Sequence, residues 1–498
     1  MKYLLLLIMF GTFALIWKRS KDSLHMIQLE EYKSDNYRKW IKNNRERAYG
    51  FKKINQPVKK PLVFTQRAKR LYSANLILSG LLLLIVFLPY ILWEKIAYFI
   101  IGTVIAFLLY RNQPDIMYLS SLIMGPIENN INMGFYKSAQ EKIKGRDDLM
   151  VVGITGSFGK TSTKFVVGTV LEEKFNVLNT PESYNTPMGL SKVINNDLND
   201  QHEVFVAEMG ARAIGEIEEV AKLCQPKIGI ITSIGPVHIE TFKNIDNIMK
   251  TKYELIEELP ADGVAIFNYD NEHIKKLADK TFKEKILYGL DDIENLDIYA
   301  DDIVVSELGS TFTLRDKEGN SIQCTTKLLG KHNIYNILAG ACVGKALGLS
   351  FEEISRGISK IEPVPHRLNI IDSGTGVIVI DDAFNSNPIG TKAALDVLSQ
   401  FKEGKKIIVT PGMIELGEME EEANREFGNN IGKVCDYVIL VGEKRTQPIY
   451  EGLMEVNYNP DNIFIVNNLD EASVHIGRLA RPKDVVLFEN DLPDNYSE

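Results

Sequence analysis

The residues best placed to do chemistry are Gly153-Ile154-Thr155-Gly156-Ser157-Phe158-Gly159-Lys160-Thr161-Ser162. The apolar run Leu149 to Val152 precedes them and Thr163-Lys164-Phe165-Val166-Val167 follows, which reads as strand, glycine turn and helix. In such a turn the backbone N–H groups point inward at an anion, and the helix N-terminus adds its partial positive charge. Lys160 supplies a point charge for outer phosphates, and the Thr161 hydroxyl suits Mg2+. The spacing departs from the general phosphate-loop pattern, because Ile154 stands where that pattern has its first glycine; the glycines here are 153, 156 and 159. An ordinary glycine-rich turn is the plain alternative, but Gly-Lys-Thr between strand and helix favours nucleotide binding.

Two further groups belong with the turn. Glu208 ends the run Val206-Ala207-Glu208, and in open parallel sheets the C-terminal strand ends face the ligand crevice, so its carboxylate is suited to Mg2+. His238 follows the run Ile228 to Thr232 through a short loop; a lone loop histidine is ordinarily just solvated.

The elements that must position these groups alternate. The short apolar runs Val204 to Ala207, Ile228 to Thr232 and Val264 to Phe267 predict an α/β domain with a mostly parallel sheet. A second set, Val377 to Ile380, Lys406 to Thr410, Tyr437 to Val441, Ile463 to Val466 and Val485 to Phe488, predicts a Rossmann-like α/β domain. The expected division is 1–111 membrane region, 112–148 connector, 149–362 central domain and 363–498 C-terminal domain.

Three apolar runs, 3–17, 76–92 and 96–110, predict transmembrane helices. Each is short, since 15 residues at about 1.5 Å rise reach about 22 Å against a hydrocarbon core of about 30 Å, so flanking residues must join them. Between the first two lie Lys18, Arg19, Lys21, Arg38, Lys39, Lys42, Arg45, Arg47, Lys52, Lys53, Lys59, Lys60, Arg67, Lys69 and Arg70. The positive-inside tendency makes this loop cytoplasmic, and with three crossings the phosphate loop is cytoplasmic too, where ATP is. The expected localisation is therefore a multi-pass cell-membrane protein with cytoplasmic catalytic domains. The net charge of −9 gives no reason to expect nucleic-acid binding, and four scattered cysteines with no C-x-x-C pair exclude a zinc ribbon and a disulfide framework.

The motifs in order resemble those of the Mur ligases, closest to the branch that adds D-alanyl-D-alanine to a UDP-muramyl tripeptide. They are the glycine turn, Asn185 in Tyr-Asn-Thr-Pro-Met-Gly, Glu208 in Ala-Glu-Met-Gly, His238-Ile239-Glu240, Lys252-Tyr253-Glu254, Gly330-Lys331-His332-Asn333 with Asn336, Arg367-Leu368, Asp381-Asp382-Ala383-Phe384-Asn385-Ser386-Asn387-Pro388 and Met413-Ile414-Glu415. The resemblance covers about residues 149 to 490. It implies an ATP-dependent amide ligase that phosphorylates a substrate carboxylate and lets an amine displace phosphate. It implies that Thr155, Gly156, Ser157, Gly159, Lys160, Thr161 and Ser162 hold the ATP phosphates. Asn333 and Asn336 would lie near adenine, and Arg367, Asp381 and Asp382 would reach the nucleotide from the C-terminal domain. Thr161, Glu208, His238 and Lys252, the last as a carbamate, would hold Mg2+; Lys160, Glu208, His238 and Lys252 would be catalytic. Asn185, Thr186, Asn385 and Asn387 would meet substrate.

The resemblance stops at both ends. Membrane segments stand where the family's UDP-sugar domain is usual, and Phe488-Glu489-Asn490 stands where the dipeptide-adding enzymes carry a basic Lys-Gly-Ser ending. The acceptor is accordingly expected to be a lipid-linked or UDP-linked muramyl peptide or another membrane-linked polymer, and the amine an amino acid or dipeptide. A nucleotide-binding scaffold without turnover is the alternative of another class.

Overall fold

The computed structural model describes residues 2–50, 61–182, 184–237, 239–306, 309–384, 386–414 and 416–491. The chain divides into two units, Met1–Gly134 and Phe135–Leu492 in their main extents.

The first unit is helical: α1 Lys2–Leu29, α2 Ser34–Asn43, α3 Arg45–Tyr49, α4 Gln66–Trp93, α5 Ile96–Arg111 and the start of α6, Gln113–Lys144. The short apolar runs are lengthened by their flanks. Both α1 and α4 have 28 residues, about 42 Å at the α-helical rise, and α4 starts ten residues before its apolar run because the Thr65 hydroxyl caps it by accepting from the Ala68 N–H. These two helices are long and apolar enough to cross a membrane; a third span arises only if α5 and α6, bent by 72° at their junction, count together. Leu7 and Phe10 on α1, Ile85 on α4 and Ile100 on α5 are more than half exposed, as lipid-facing side chains are. Inside, Phe99 packs edge-on to Tyr90 at 5.2 Å, and Arg70 grips Glu128 through two bonds of 2.7 Å. The sequence expectation needs two corrections. Of the expected basic loop, Lys18, Arg19 and Lys21 lie within α1, Arg38, Lys39 and Lys42 within α2, Arg45 and Arg47 within α3 and Arg67, Lys69 and Arg70 within α4, while Lys52, Lys53, Lys59 and Lys60 lie outside the described residues; the connector 112–148 is mostly one 32-residue helix. Pro114 fits its first turn, where no intrahelical bond is lost, and Pro126 is carried inside it.

The second unit carries two sheets. The first comprises β1 Met150–Thr155, β2 Val177–Asn179, β3 Val204–Glu208, β4 Ile228–Ile231, β5 Val264–Asn268, β6 Glu284–Gly289, β7 Ile298–Ser306, β8 Gly309–Asp316 and β9 Ser321–Thr326, in the order β2-β3-β1-β4-β5-β6-β7-β8-β9. It is parallel through β7 and antiparallel through β8 and β9. Central β1 is apolar throughout because both its faces are covered: Val151 enters one core and Val152 and Ile154 the other. The second sheet comprises β10 Asn369–Asp372, β11 Ile378–Asp382, β12 Lys406–Thr410, β13 Tyr437–Val441, β14 Ile463–Val466 and β15 Val485–Glu489, in the order β10-β11-β15-β12-β13-β14, with only β10 antiparallel.

Candidate functional site

The glycine turn joins β1 to the helix Lys160–Leu171. Gly159 has φ +78°, which favours glycine, and a Cβ on Gly156 would overlap the Thr232 hydroxyl. The turn is pinned from neighbouring β-loops. Thr155 Oγ1 donates to the Met209 carbonyl at 3.0 Å, Ser157 Oγ to the Gly235 carbonyl at 3.0 Å, and the Phe158 N–H to Ser233 Oγ at 2.8 Å. Lys160 curls over it, its ammonium donating to the Gly156 carbonyl at 2.8 Å and the Ser157 carbonyl at 3.3 Å. Ser162 is half-buried on the first turn of the helix.

Glu208, at the C-terminal end of β3, is buried and its carboxylate is shared by three donors. Thr161 Oγ1 and Asn185 Nδ2 each donate at 3.0 Å, and Lys164 Nζ lies at 3.3 Å. Lys164 is fully buried and also donates to the Glu182 carbonyl. The sequence reading missed it as a site residue, although it lies one helical turn beyond Lys160. Thr186 caps the helix Pro187–Asn196, accepting from the Gly189 N–H at 3.2 Å, and so fixes the loop that carries Asn185.

Lys252, on the helix Ile245–Glu257, is buried with its ammonium 5.7 Å from the Phe242 ring centre. Burial, and next the charge of Lys160, bring its pKa down to about 7 from 10.5, against the opposing pull of Glu254 and Glu216. Burial likewise lowers Lys160 and Lys164, each raised in part by Glu208. Around Glu208 the lysines outnumber the carboxylate, an arrangement suited to a polyanion.

The second sheet contributes Arg367, which lies over the Phe384 ring at 4.2 Å and interacts electrostatically with Asp382, Glu208, Glu489 and Lys160. Asp382 Oδ1 accepts from the Leu368 N–H at 3.2 Å, and Asp381 Oδ2 pairs with His366 Nδ1 at 2.7 Å. Asn333 and Asn336, both buried, stand behind the turn: Thr163 Oγ1 donates to Asn336 Oδ1 at 3.0 Å, Asn336 Nδ2 to Asn333 Oδ1 at 2.9 Å, and Asn333 Nδ2 to the Leu329 carbonyl at 2.8 Å. Asn387 caps the helix Pro388–Gln400 through the N–H groups of Ile389 and Gly390. His238 and Asn385 lie outside the described residues.

Among the described residues no three His, Cys, Asp or Glu side chains cluster closely enough to hold a metal ion. The Thr161 hydroxyl and the Glu208 carboxylate, 3.0 Å apart, are nevertheless hard oxygen donors beside a phosphate loop, and Mg2+ commonly takes one or two such protein ligands plus phosphate oxygens. That donor set fits the ion.

Comparison with known proteins adds an independent line. Residues 154–344 match the Mur ligase middle domain and residues 366–489 the Mur ligase glutamate ligase domain. The UDP-N-acetylmuramoyl-tripeptide--D-alanyl-D-alanine ligase of Bacillus subtilis is 32% identical over 341 residues, 68% of this chain and 72% of that one. The Escherichia coli enzyme of the same name is 30% identical over 295 residues, 59% of this chain and 65% of that one. Among solved structures, the MurF ligase from Thermotoga maritima in complex with ADP shares the fold at a TM-score of 0.64 and 26% identity, covering 72% of this chain and 80% of that one. MurF from Acinetobacter baumannii aligns at a TM-score of 0.66 and 25% identity, covering 73% and 78%.

Proposed function

The chain belongs to the Mur ligase family, and from that premise and the geometry of the site we propose that it is a membrane-anchored, ATP-dependent amide ligase of peptidoglycan or cell-envelope precursors that works through an acyl phosphate. The observation that carries the reading is the convergence of Lys160, on the helix after β1, and Arg367, in the turn before β10, on Glu208. A carboxylate that approaches a triphosphate meets strong repulsion, and fixed cations offset it without reorganising during the reaction.

In this reading the N–H groups of the glycine turn and Lys160 hold the outer phosphates. Arg367 faces them from the turn before the second sheet, so the acceptor carboxylate and the transferring phosphoryl group meet between two cations, while Lys252, beside Lys160, is available as the carbamate that would share the Mg2+. Mg2+, held by Thr161 and Glu208, would neutralise phosphate charge as it develops. Asn185 and Lys164 keep the Glu208 carboxylate oriented. The acceptor is a muramyl peptide, UDP-linked or lipid-linked, and the amine is D-alanyl-D-alanine or a related amino compound. The name of the relatives supports the first member of each pair, and the apolar helices α1 and α4 support a membrane-linked acceptor.

The test uses the detergent-solubilised full-length protein with ATP and Mg2+, measuring phosphate release over a panel of amines with UDP-linked or lipid-linked muramyl peptides. Release that requires acceptor and amine together is expected, and Lys160→Ala should reduce it by roughly 10²–10³-fold. ATP binding with no turnover anywhere in the panel, or turnover indifferent to Lys160, overturns the proposal.

A further inference from the structure

The first part of α6, from Gln113 to Gly134, has its polarity inverted for a helix in water. Its packed side holds polar groups: Gln113, Ser120, Ser121 and Glu128 are buried, Ser121 Oγ lies 2.9 Å from Ser34 Oγ, and both Glu128 oxygens accept from Arg70. Its outward side is apolar. Leu119, Ile123 and Ile127 follow one another at four-residue intervals, with Leu122 and Met133 beside them, and all five are 45–54% exposed. Between Asp115 and Lys137 the sequence has one charged residue, Glu128, and that residue is turned inward. Asp115 itself accepts from the Tyr49 hydroxyl at 2.8 Å. A helix that packs on one side and shows uncharged, apolar side chains on the other is made for a second apolar environment.

The helix before it says which environment that is. Ile100, Ile101 and Val104 on α5 are more than half exposed, as lipid-facing side chains are, and the apolar side of α6 continues from them across a bend of 72°. If α5 runs along the membrane normal, that bend leaves α6 within about 20° of the membrane plane. The groups at the bend are those of a headgroup layer. Arg19 lies over the Tyr110 ring at 5.1 Å and Lys21 over the Trp17 ring at 5.0 Å, the Tyr72 hydroxyl donates to the Trp17 carbonyl at 2.7 Å, and Lys18 and Arg111 are exposed.

We infer that residues 119–133 of α6 form an interfacial membrane-binding surface, seated with Leu119, Leu122, Ile123, Ile127 and Met133 at the boundary between lipid headgroups and acyl chains. This rests on the membrane anchoring proposed above. A helix in that position enters the boundary to a depth of about 5–10 Å and spreads the headgroups over it, which thins the bilayer locally. The 16 residues of α5 reach about 24 Å, so a thinned bilayer is what that short crossing requires.

The test places a fluorescent label on single cysteines of the full-length protein in phosphatidylglycerol–phosphatidylethanolamine vesicles and reads its quenching by lipids carrying a nitroxide near the head or near the tail of the acyl chain. The labelled variants are Leu122→Cys and Ile123→Cys on α6, Leu84→Cys on the exposed side of α4, and Lys331→Cys, which is exposed in the second unit. Thermal melts in detergent report that each labelled protein is folded. Leu122→Cys and Ile123→Cys should lose emission at least about twofold with the head-side nitroxide and less with the tail-side one, as expected for a helix lying in the boundary. Leu84→Cys should be quenched most by the tail-side nitroxide, and Lys331→Cys by neither. Quenching of Leu84→Cys with none at Leu122→Cys and Ile123→Cys overturns the inference and leaves the anchoring intact; no quenching at any of the three overturns both. Stronger tail-side than head-side quenching on α6 would make it part of a crossing and also overturns the inference. A pyrene excimer from Ile123→Cys that survives dilution of the protein with excess lipid would assign the face to a second copy of the chain, with the same consequence.

Discussion

Lys252 shows how a single residue can be costly to the fold and useful to the site. An ammonium this deeply buried without a carboxylate partner in hydrogen-bonding range among the described residues is disfavoured, and its pKa falls to about 7 for that reason. At that value a substantial fraction is the neutral amine near neutral pH, the form that can add CO2 to become the carbamate that the family resemblance implies. The sign of the linkage follows from the direction of the shift. Between about pH 7 and the unfolded value of 10.5 the unfolded chain binds more protons than the folded one, so stability rises with pH across that window; below pH 7 the full penalty applies. In CO2-free buffer without nucleotide, Lys252→Met should therefore stabilise the protein at pH 6 to 7 by an amount on the order of a few kcal/mol, and the gain should shrink towards zero near pH 10. Thermal unfolding of both proteins over this range checks it, and a gain independent of pH would show that packing alone is responsible.

At the scale of elements, the glycine turn is held by shape rather than by sequence flexibility. Because a Cβ on Gly156 would overlap the Thr232 hydroxyl, which itself donates to the Phe158 carbonyl, Gly156→Ala should disorganise the phosphate cradle. The expected cost is about 1–3 kcal/mol in stability with loss of measurable ATP binding. Gly477→Ala is the control: it lies on the helix Leu469–Leu479 with open space around its Cβ, and should be neutral or stabilising by up to about 1 kcal/mol. Thermal melts and nucleotide titration of the two variants separate the cases. The same contrast explains what could be read from the sequence. Strands β1, β3, β4 and β5 are covered on both faces and stand out as apolar runs, whereas β8 alternates buried and half-buried residues from Ser310 onward and carries Thr311, Thr313 and Arg315 on its wetter face, so no run marks it. Lys160, Thr161 and Glu208 were legible because strand ends and glycine turns dictate where their side chains go. Lys164 was not, because its role depends on a carboxylate 44 residues further along the chain, which meets it only in the folded sheet.

For the whole molecule, the proposed membrane anchoring turns on how many times the chain would cross the bilayer. On the proposed membrane anchoring, the basic segment between α1 and α4 would favour the cytoplasmic side, so α4 would carry the chain outward and Trp93-Glu94-Lys95 would lie outside. Were α4 the last crossing, both sheets would be outside the cell, away from ATP. A cytosolic phosphate loop thus requires α5 to return the chain, although its 16 residues span only about 24 Å and must be met by a locally thinned bilayer or by residues beyond Arg111. The four native cysteines are all buried and unpaired, which leaves a low background for labelling introduced thiols. In intact cells a membrane-impermeant maleimide should label Glu94→Cys, but should label Lys39→Cys and Lys331→Cys only after permeabilisation. Labelling of Lys331→Cys in intact cells would mean that α5 does not cross, and the ATP-dependent reading would then lose its nucleotide supply. Labelling of Lys39→Cys with protection of Glu94→Cys would invert the helices and place the basic segment outside. The three-site pattern therefore tests whether the charge that orients the membrane helices also delivers the catalytic unit to the compartment where its substrate is made.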